Sequence, residues 1–191
     1  MGRVITIDAR MLGFSGIGTY LQNLLENYTR MECDFSFRLA CPRQESVREF
    51  ESNRFTWVRA DAPIYGLREQ WQIPRVSKGS DLLHCPHYNV PCFYRGRLLV
   101  TIHDLTFFTN PEWHERSKVP FFRRAITYAA SHADVLISVS DFTSRKLDEI
   151  VPRHAPLVTA PLGVDLDRFS LDARHDEDVL RAHHLPVDRQ R

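Results

Sequence analysis

The chain has 191 residues, 43% of them apolar, which suits one domain of ordinary size with a substantial core and no need of metal or disulfide staples. Its 25 Lys and Arg stand against 24 Asp and Glu, so a formal charge of +1 gives no global electrostatic ground for nucleic acid or an anionic membrane. No run approaches the roughly 18 uninterrupted apolar residues that span a bilayer.

The four cysteines, Cys33, Cys41, Cys85 and Cys92, form no C-x-x-C pair. Asp8 and Arg10 interrupt the short N-terminal apolar run, so no signal peptide is expected and the expected setting is a reducing cytoplasm. From the first strand onward, apolar runs of strand length alternate with segments of helical period. That alternation predicts βαβ units and a mainly parallel sheet covered on both faces, a doubly wound α/β sandwich of three layers.

The first strand is expected at 4–8, and it runs through Asp8-Ala9-Arg10 into Gly13-Phe14-Ser15-Gly16-Ile17-Gly18 and then a helix. In that helix Ile17, Tyr20, Leu21, Leu24, Leu25 and Tyr28 repeat at helical spacing, which makes them the face laid on the sheet. Further strands are expected at 35–41, 55–60, 82–85, 98–103, 135–140 and 157–161, about seven in all. A helix over 119–132 carries Phe122, Ala125, Ile126, Ala129, Ala130 and Ala133 on one stripe, with Pro120 tolerable in its first turn. A shorter one follows the sixth strand, capped by Ser140 or Asp141, stabilised by Leu147, Ile150 and Val151, and stopped by Pro152. After Phe169 the sequence turns strongly charged, as a linker or short solvated helix does.

Two features face one rim. The glycines spaced G-x-x-G-x-G between strand and helix let the backbone turn sharply and bring N–H groups to an anion at the helix N-terminus, or they merely shape a turn. The spacing is neither the dinucleotide fingerprint nor the P-loop. His103-Asp104 ends the run Leu98-Leu99-Val100-Thr101-Ile102, at the carboxyl edge where open α/β sheets bind ligands. Neighbouring side chains on a strand point oppositely, so one of the pair faces the cleft, and Asp104 is the one expected to hold backbone groups in the turn. His103 is then either a structural hydrogen-bonder or a group that donates or accepts at neutral pH.

His84, Cys85, His87 and His103 invite a metal reading, but His84 and Cys85 face opposite sides of a strand and no second cluster completes a tetrahedral set, so no metal is expected. No G-x-S-x-G elbow supports a hydrolase. Trp113, Arg116, Lys118, Phe121, Phe122, Arg123 and Arg124 read either as an anionic-lipid or acceptor surface or as a helix with a basic solvated face; the near-zero net charge favours the second.

Taken in order, Asp8-Ala9-Arg10 with Gly16-Ile17-Gly18-Thr19-Tyr20, His84-Cys85-Pro86-His87-Tyr88-Asn89-Val90-Pro91, Thr101-Ile102-His103-Asp104-Leu105, the stretch from Ala133 to Thr143 and Pro161-Leu162-Gly163-Val164-Asp165 form a set. It resembles the N-terminal domain of family 4 glycosyltransferases, retaining enzymes of two Rossmann-like domains in the GT-B arrangement. The resemblance implies an acceptor-side domain over 1–170 and a charged linker over 171–191 leading toward a nucleotide-sugar-binding domain, in cis or in trans. It implies that Gly16 and Gly18 approach donor phosphate or acceptor, that His103 is the catalytic histidine contacting the transferred sugar, and that Ser140 and Asp141 lie on the cleft rim, with Asp141 in place of the family's usual Glu. The implied partners are a nucleotide-sugar donor, which is substrate and leaves no cofactor to be expected, and a glycan, lipid or small-molecule acceptor, with no nucleic acid and with peripheral membrane contact left open. By itself such a half is expected to be inactive. The competing expectation is a non-catalytic module of the same fold that docks a partner chain.

Overall fold

A computed structural model describes residues 2–50, 52–152, 155–164 and Arg181. The chain divides into a compact unit, residues 1–161, and a second, residues 162–191. Apart from Arg181, the charged stretch expected over 171–191 lies outside the described residues. All strands of the sheet belong to the first unit.

They are β1 (Arg3–Asp8), β2 (Phe35–Cys41), β3 (Phe55–Arg59), β4 (Leu82–Cys85), β5 (Leu98–Ile102), β6 (Val135–Ser138) and β7 (Leu157–Thr159). Together they form one seven-stranded sheet in the order β3-β2-β1-β4-β5-β6-β7, and every neighbouring pair is parallel. Among the described residues of the first unit the helices are α1 (Ser15–Arg30), α2 (Glu69–Val76), α3 (Thr106–Thr109), α4 (Val119–His132) and α5 (Asp141–Ile150), with 3-10 turns at Gln44–Phe50 and Pro111–Trp113.

Strand alternation separates two cores. On one face Ile7, Phe37 and Leu39 meet Leu21 and Leu25 of α1 together with Val47 and Phe50. On the other, Leu83, Cys85, Val100 and Ile102 meet Ile73 of α2, Ile126 and Ala129 of α4, and Leu147 of α5. The sheet is thus the middle of three layers. Because β1 leads outward to β2 and β3 while the chain from β3 returns to β4 and continues the other way, the strand order reverses between β1 and β4. A crevice opens at the carboxyl ends of strands at such a reversal.

The strand limits match the apolar runs closely, falling one or two residues short at the carboxyl ends of β3, β5, β6 and β7. There the backbone keeps one further bond without strand pairing, as Ala60 N–H donating to Cys41 O at 3.0 Å and Ala160 N–H to Ser138 O at 2.8 Å show. Helix α4 has the expected limits with proline in its first turn. Helix α2 has no counterpart in the sequence reading, because its eight residues include Pro74 and bury only Glu69 and Ile73. From β4 to β5 the chain crosses as a loop, and its first half, residues 86–91, is buried throughout.

Candidate active site

The carboxyl end of β1 is tied down by charge. Arg10 is 6% exposed and Asp8 3%. The guanidinium donates from Nε to Asp8 Oδ1 at 2.8 Å and from Nη2 to Asp8 Oδ2 at 2.6 Å, a bidentate pair. Nη2 also reaches Glu69 Oε2 at 2.9 Å, and Nη1 donates to the Ala62 carbonyl at 2.9 Å. Burial works against the Arg10 cation, but hydrogen bonds and charge from Asp8 and Glu69 outweigh it and hold its pKa above the ordinary value. Burial raises the Glu69 carboxyl in spite of Arg10. One side chain therefore fastens β1 to the start of α2 and to the loop after β3.

Beyond Arg10 the chain makes two turns, Leu12 N–H to Ala9 O at 3.2 Å and Phe14 N–H to Met11 O at 2.9 Å, and enters α1. The two glycines assigned to binding differ here. A Cβ on Gly18 would overlap the Leu12 carbonyl oxygen and stand 3.0 Å from Leu12 C and 3.2 Å from Met11 O, so this glycine lets the helix press on its own entry loop. A Cβ on Gly16 would meet nothing within 4 Å. Phe14, the N-cap, makes no side-chain cap bond, and no acidic residue stands in the first turn. The amides of residues 15–17 precede the first helical bond, from Gly18 N–H to Phe14 O at 2.5 Å. That is the positive end of a 16-residue helix with open space at Gly16.

Helix α1 also carries Tyr20 to the end of β5. The Tyr20 ring stands edge-on to the His103 imidazole, 4.9 Å between centroids and 84° between planes. Its hydroxyl shares a hydrogen bond with Thr101 Oγ1 at 3.2 Å, and that oxygen in turn pairs with His84 Nε2 at 2.9 Å. The glycine loop and His103 are thus brought to one rim, with Tyr20 between them.

His103 is half-buried, and its Nε2 lies 2.8 Å from the Pro86 carbonyl. A carbonyl only accepts, so Nε2 carries the proton and donates. Burial lowers the His103 pKa, opposed by that carbonyl and by Asp104, so the ring is neutral at pH 7 with Nδ1 as a lone-pair acceptor. Nδ1 has no partner among the described residues. Asp104 takes the role expected of it: its Oδ1 accepts from the Thr106 N–H at 3.0 Å and the Thr106 hydroxyl at 2.7 Å, opening α3.

Ser140 is the N-cap of α5, accepting from Thr143 N–H at 3.1 Å. Thr143 Oγ1 donates to the His103 carbonyl at 3.3 Å, so this helix start abuts the end of β5. Asp141 is exposed and supplies the acidic first-turn residue that complements the helix dipole.

His84 is 1% exposed and His87 8%, and burial, then the neighbouring His103, pushes each down to about 4. Among the described residues no group of three or more His, Cys, Asp or Glu comes together as a metal site. His87 serves differently: its Nδ1 is hydrogen-bonded to the Tyr65 hydroxyl at 3.0 Å. Tyr65 holds φ at 61°, the left-handed region that costs an aromatic residue about 1–2 kcal/mol. Neither Tyr65 nor Glu69 emerges from sequence reasoning, since each lies in the segment between β3 and β4 that shows no apolar period. The one available signal was Tyr65-Gly66 after Pro63, a turn signature.

Along the basic-aromatic segment Trp113 is 70% exposed and Phe121 51%, while Phe122 stacks on Phe107 at 4.4 Å and Arg123 Nε donates to the Phe107 carbonyl at 2.7 Å. Among the described residues no helix is long and apolar enough to cross a membrane.

Residues 14–168 match the model of Glycosyltransferase Family 4. The chain is 27% identical over 129 residues to the O-antigen chain mannosyltransferase B of Escherichia coli, a match covering 67% of this chain and 33% of that protein. The structure superposes on sucrose-phosphate synthase from Thermosynechococcus elongatus with a TM-score of 0.70 at 15% identity, over 98% of this chain and 54% of that one. A second sucrose-phosphate synthase chain from the same organism gives a TM-score of 0.51 at 13% identity, over 95% of this chain and 99% of that one. The chain therefore spans a third of the mannosyltransferase and about half of the longer synthase chain. With a motif set, a parallel Rossmann-like sheet and a family match that agree over most of its length, the chain belongs to Glycosyltransferase Family 4.

Proposed function

We propose that this chain forms the acceptor-side half of a retaining glycosyltransferase that moves a sugar from a nucleotide-sugar to a glycan, lipid or small-molecule acceptor. The observation that carries the reading is the pairing, across Tyr20, of an uncapped positive helix end at Gly16 with a neutral histidine whose Nδ1 is unpartnered among the described residues. A sugar phosphate has the two matching ends: an anion for backbone N–H groups at α1 and hydroxyls for the imidazole acceptor.

On this reading Gly16 admits the donor phosphate, Gly18 shapes the loop that holds those amides, and His103 orients the sugar and is not a covalent nucleophile. Ser140 and Asp141 border the same rim through Thr143. Departing phosphate oxygen takes the acceptor proton on the face it leaves, which retains configuration and needs no cofactor from this half. A nucleotide-sugar-binding domain, in cis or in trans, supplies the rest of the donor site.

The test is transfer from a panel of nucleotide-sugars with that domain present, comparing the parent with His103→Ala. Loss of transfer and of donor hydrolysis by about a hundredfold is expected for an electrostatic contact made at the reacting sugar; unchanged donor hydrolysis in His103→Ala sinks the site assignment. A second reading, a non-catalytic module that docks another chain, draws on Leu67, Trp71 and Phe93, which are 79%, 59% and 51% exposed, with the last two rings 5.1 Å apart. Full transfer activity lost in His103→Ala but kept in Trp71→Ser decides against it.

A further inference from the structure

Tyr65 stands third in a turn closed by Gly66 N–H on the Pro63 carbonyl at 3.0 Å, with φ at 61°. Glycine is ordinarily placed at a third turn position of positive φ, and here glycine comes one residue later. Something must hold a tyrosine in that conformation. From the backbone side, Ala62 is gripped twice: its carbonyl accepts from Arg10 Nη1 at 2.9 Å and its N–H donates to Gln72 Oε1 at 2.6 Å. From the ring side, Tyr65 packs edge-on against Phe122 at 5.1 Å and Phe121 at 6.0 Å. Its hydroxyl then meets His87 Nδ1 at 3.0 Å, with the Tyr88 phenol alongside. Strain of this kind persists where the surroundings over-determine it, and it clusters at functional sites.

His87 is covalently joined to Pro86, and the peptide between them is planar. A hold on the His87 ring is therefore a hold on the Pro86 carbonyl, the group that accepts from His103 Nε2 at 2.8 Å. The two imidazoles lie 6.3 Å apart and within 27° of parallel. We propose that Tyr65 is a positioning residue that acts through His87 and the Pro86 carbonyl to keep Nε2 of His103 turned to the protein and Nδ1 left for a ligand hydroxyl. The proposal rests on the reading of His103 as the sugar-contacting group. It extends that reading to a residue three elements away in the chain, with no hydrogen bond or ring contact to His103 among the described residues.

The experiment follows the His103 Nε2–H by NMR in the ligand-free full chain, comparing the parent with Tyr65→Phe, which keeps the ring packing and deletes the hydroxyl. Loss of one hydrogen bond in the relay is expected to speed exchange of that proton about tenfold and to lower the urea midpoint by roughly 0.5 M. His87→Phe, which keeps a ring but removes the ring nitrogen that Tyr65 meets, is expected to give the same acceleration. An unchanged exchange rate in Tyr65→Phe overturns the proposal, and so does an equal acceleration in Ile7→Val, which lowers the urea midpoint by a similar amount through the core on the other face of the sheet and leaves the relay intact. No ligand enters the measurement. A transferase assay that fails while the exchange rates respond thus sinks the reading of function and not the positioning relay.

Discussion

Replacing each of two glycines by alanine separates the fold from the ligand site at α1. At Gly18 the new Cβ meets backbone, the carbonyl of Leu12 and, at 3.2 Å, that of Met11. Those atoms belong to a loop anchored by Arg10 and by turn hydrogen bonds, so they cannot swing aside as a side chain would. Overpacking of this sort costs about 1–3 kcal/mol, and the better helix propensity of alanine returns about 1. Because the overlap is with backbone, the upper end of that cost applies, and the net expectation for Gly18→Ala is a loss of about 2 kcal/mol, which at a urea m-value of about 2 kcal/mol/M lowers the midpoint by roughly 1 M. Gly16→Ala meets open space and gains the propensity term, so its midpoint should equal or exceed the parent's by up to roughly 0.5 M. It should nonetheless weaken donor binding at least tenfold, because the methyl group occupies the approach to the first-turn amides. Urea unfolding of both variants, with donor titration of Gly16→Ala, decides the matter. A Gly18→Ala protein as stable as the parent refutes the reasoning about the loop, and undiminished donor binding by Gly16→Ala refutes the phosphate assignment.

Three further outcomes are expected. His84 and His87 are neutral in the fold with pKa values of about 4 against an ordinary 6.5; below pH 6.5 the unfolded chain takes up protons that the fold refuses, so stability falls as pH drops from 6.5 toward 4, by up to about 3 kcal/mol per ring. Urea midpoints at pH 7.5, 5.5 and 4.5 that do not decline contradict this. Arg10→Met strands Asp8 and Glu69 as buried carboxylates and should cost about 3–5 kcal/mol, part of which Glu69→Gln in the same chain restores; strictly additive losses in the double variant refute the network. Ser140→Ala removes the cap on Thr143 N–H and should cost about 1 kcal/mol, whereas Asp141→Glu keeps the first-turn charge and should leave the thermal midpoint unmoved.

Wherever apolar side chains recur with a period, the sequence shows the fold plainly: β5, β6 and α4 need no more than Leu98 to Ile102, Val135 to Ser138 and the Ile126, Ala129, Ala130 stripe. Helix α2 escapes such reading because it rests on an ion pair, Arg10 with Glu69, and on a single buried Ile73, and a pair 59 residues apart in sequence leaves no local trace. The site divides the same way. His103 and the glycine loop stand at strand ends and can be found from the runs that precede them. Which glycine packs and which stays open depends on the path of the backbone at Leu12, and Tyr65 reaches His87 only because the sheet places the loop after β3 beside the loop after β4.

The buried half-loop between β4 and β5 bears on how the crevice moves. Surface connections ordinarily open and close far more readily than the elements they join. Residues 86–91 are enclosed like core, with His87 bonded to Tyr65 and Val90 N–H to the Tyr88 carbonyl at 3.0 Å. Their local opening must therefore break buried contacts that an exposed surface loop does not have. This wall of the crevice behaves as a fixed jaw, and any closure about a substrate has to be carried by the surfaces facing it.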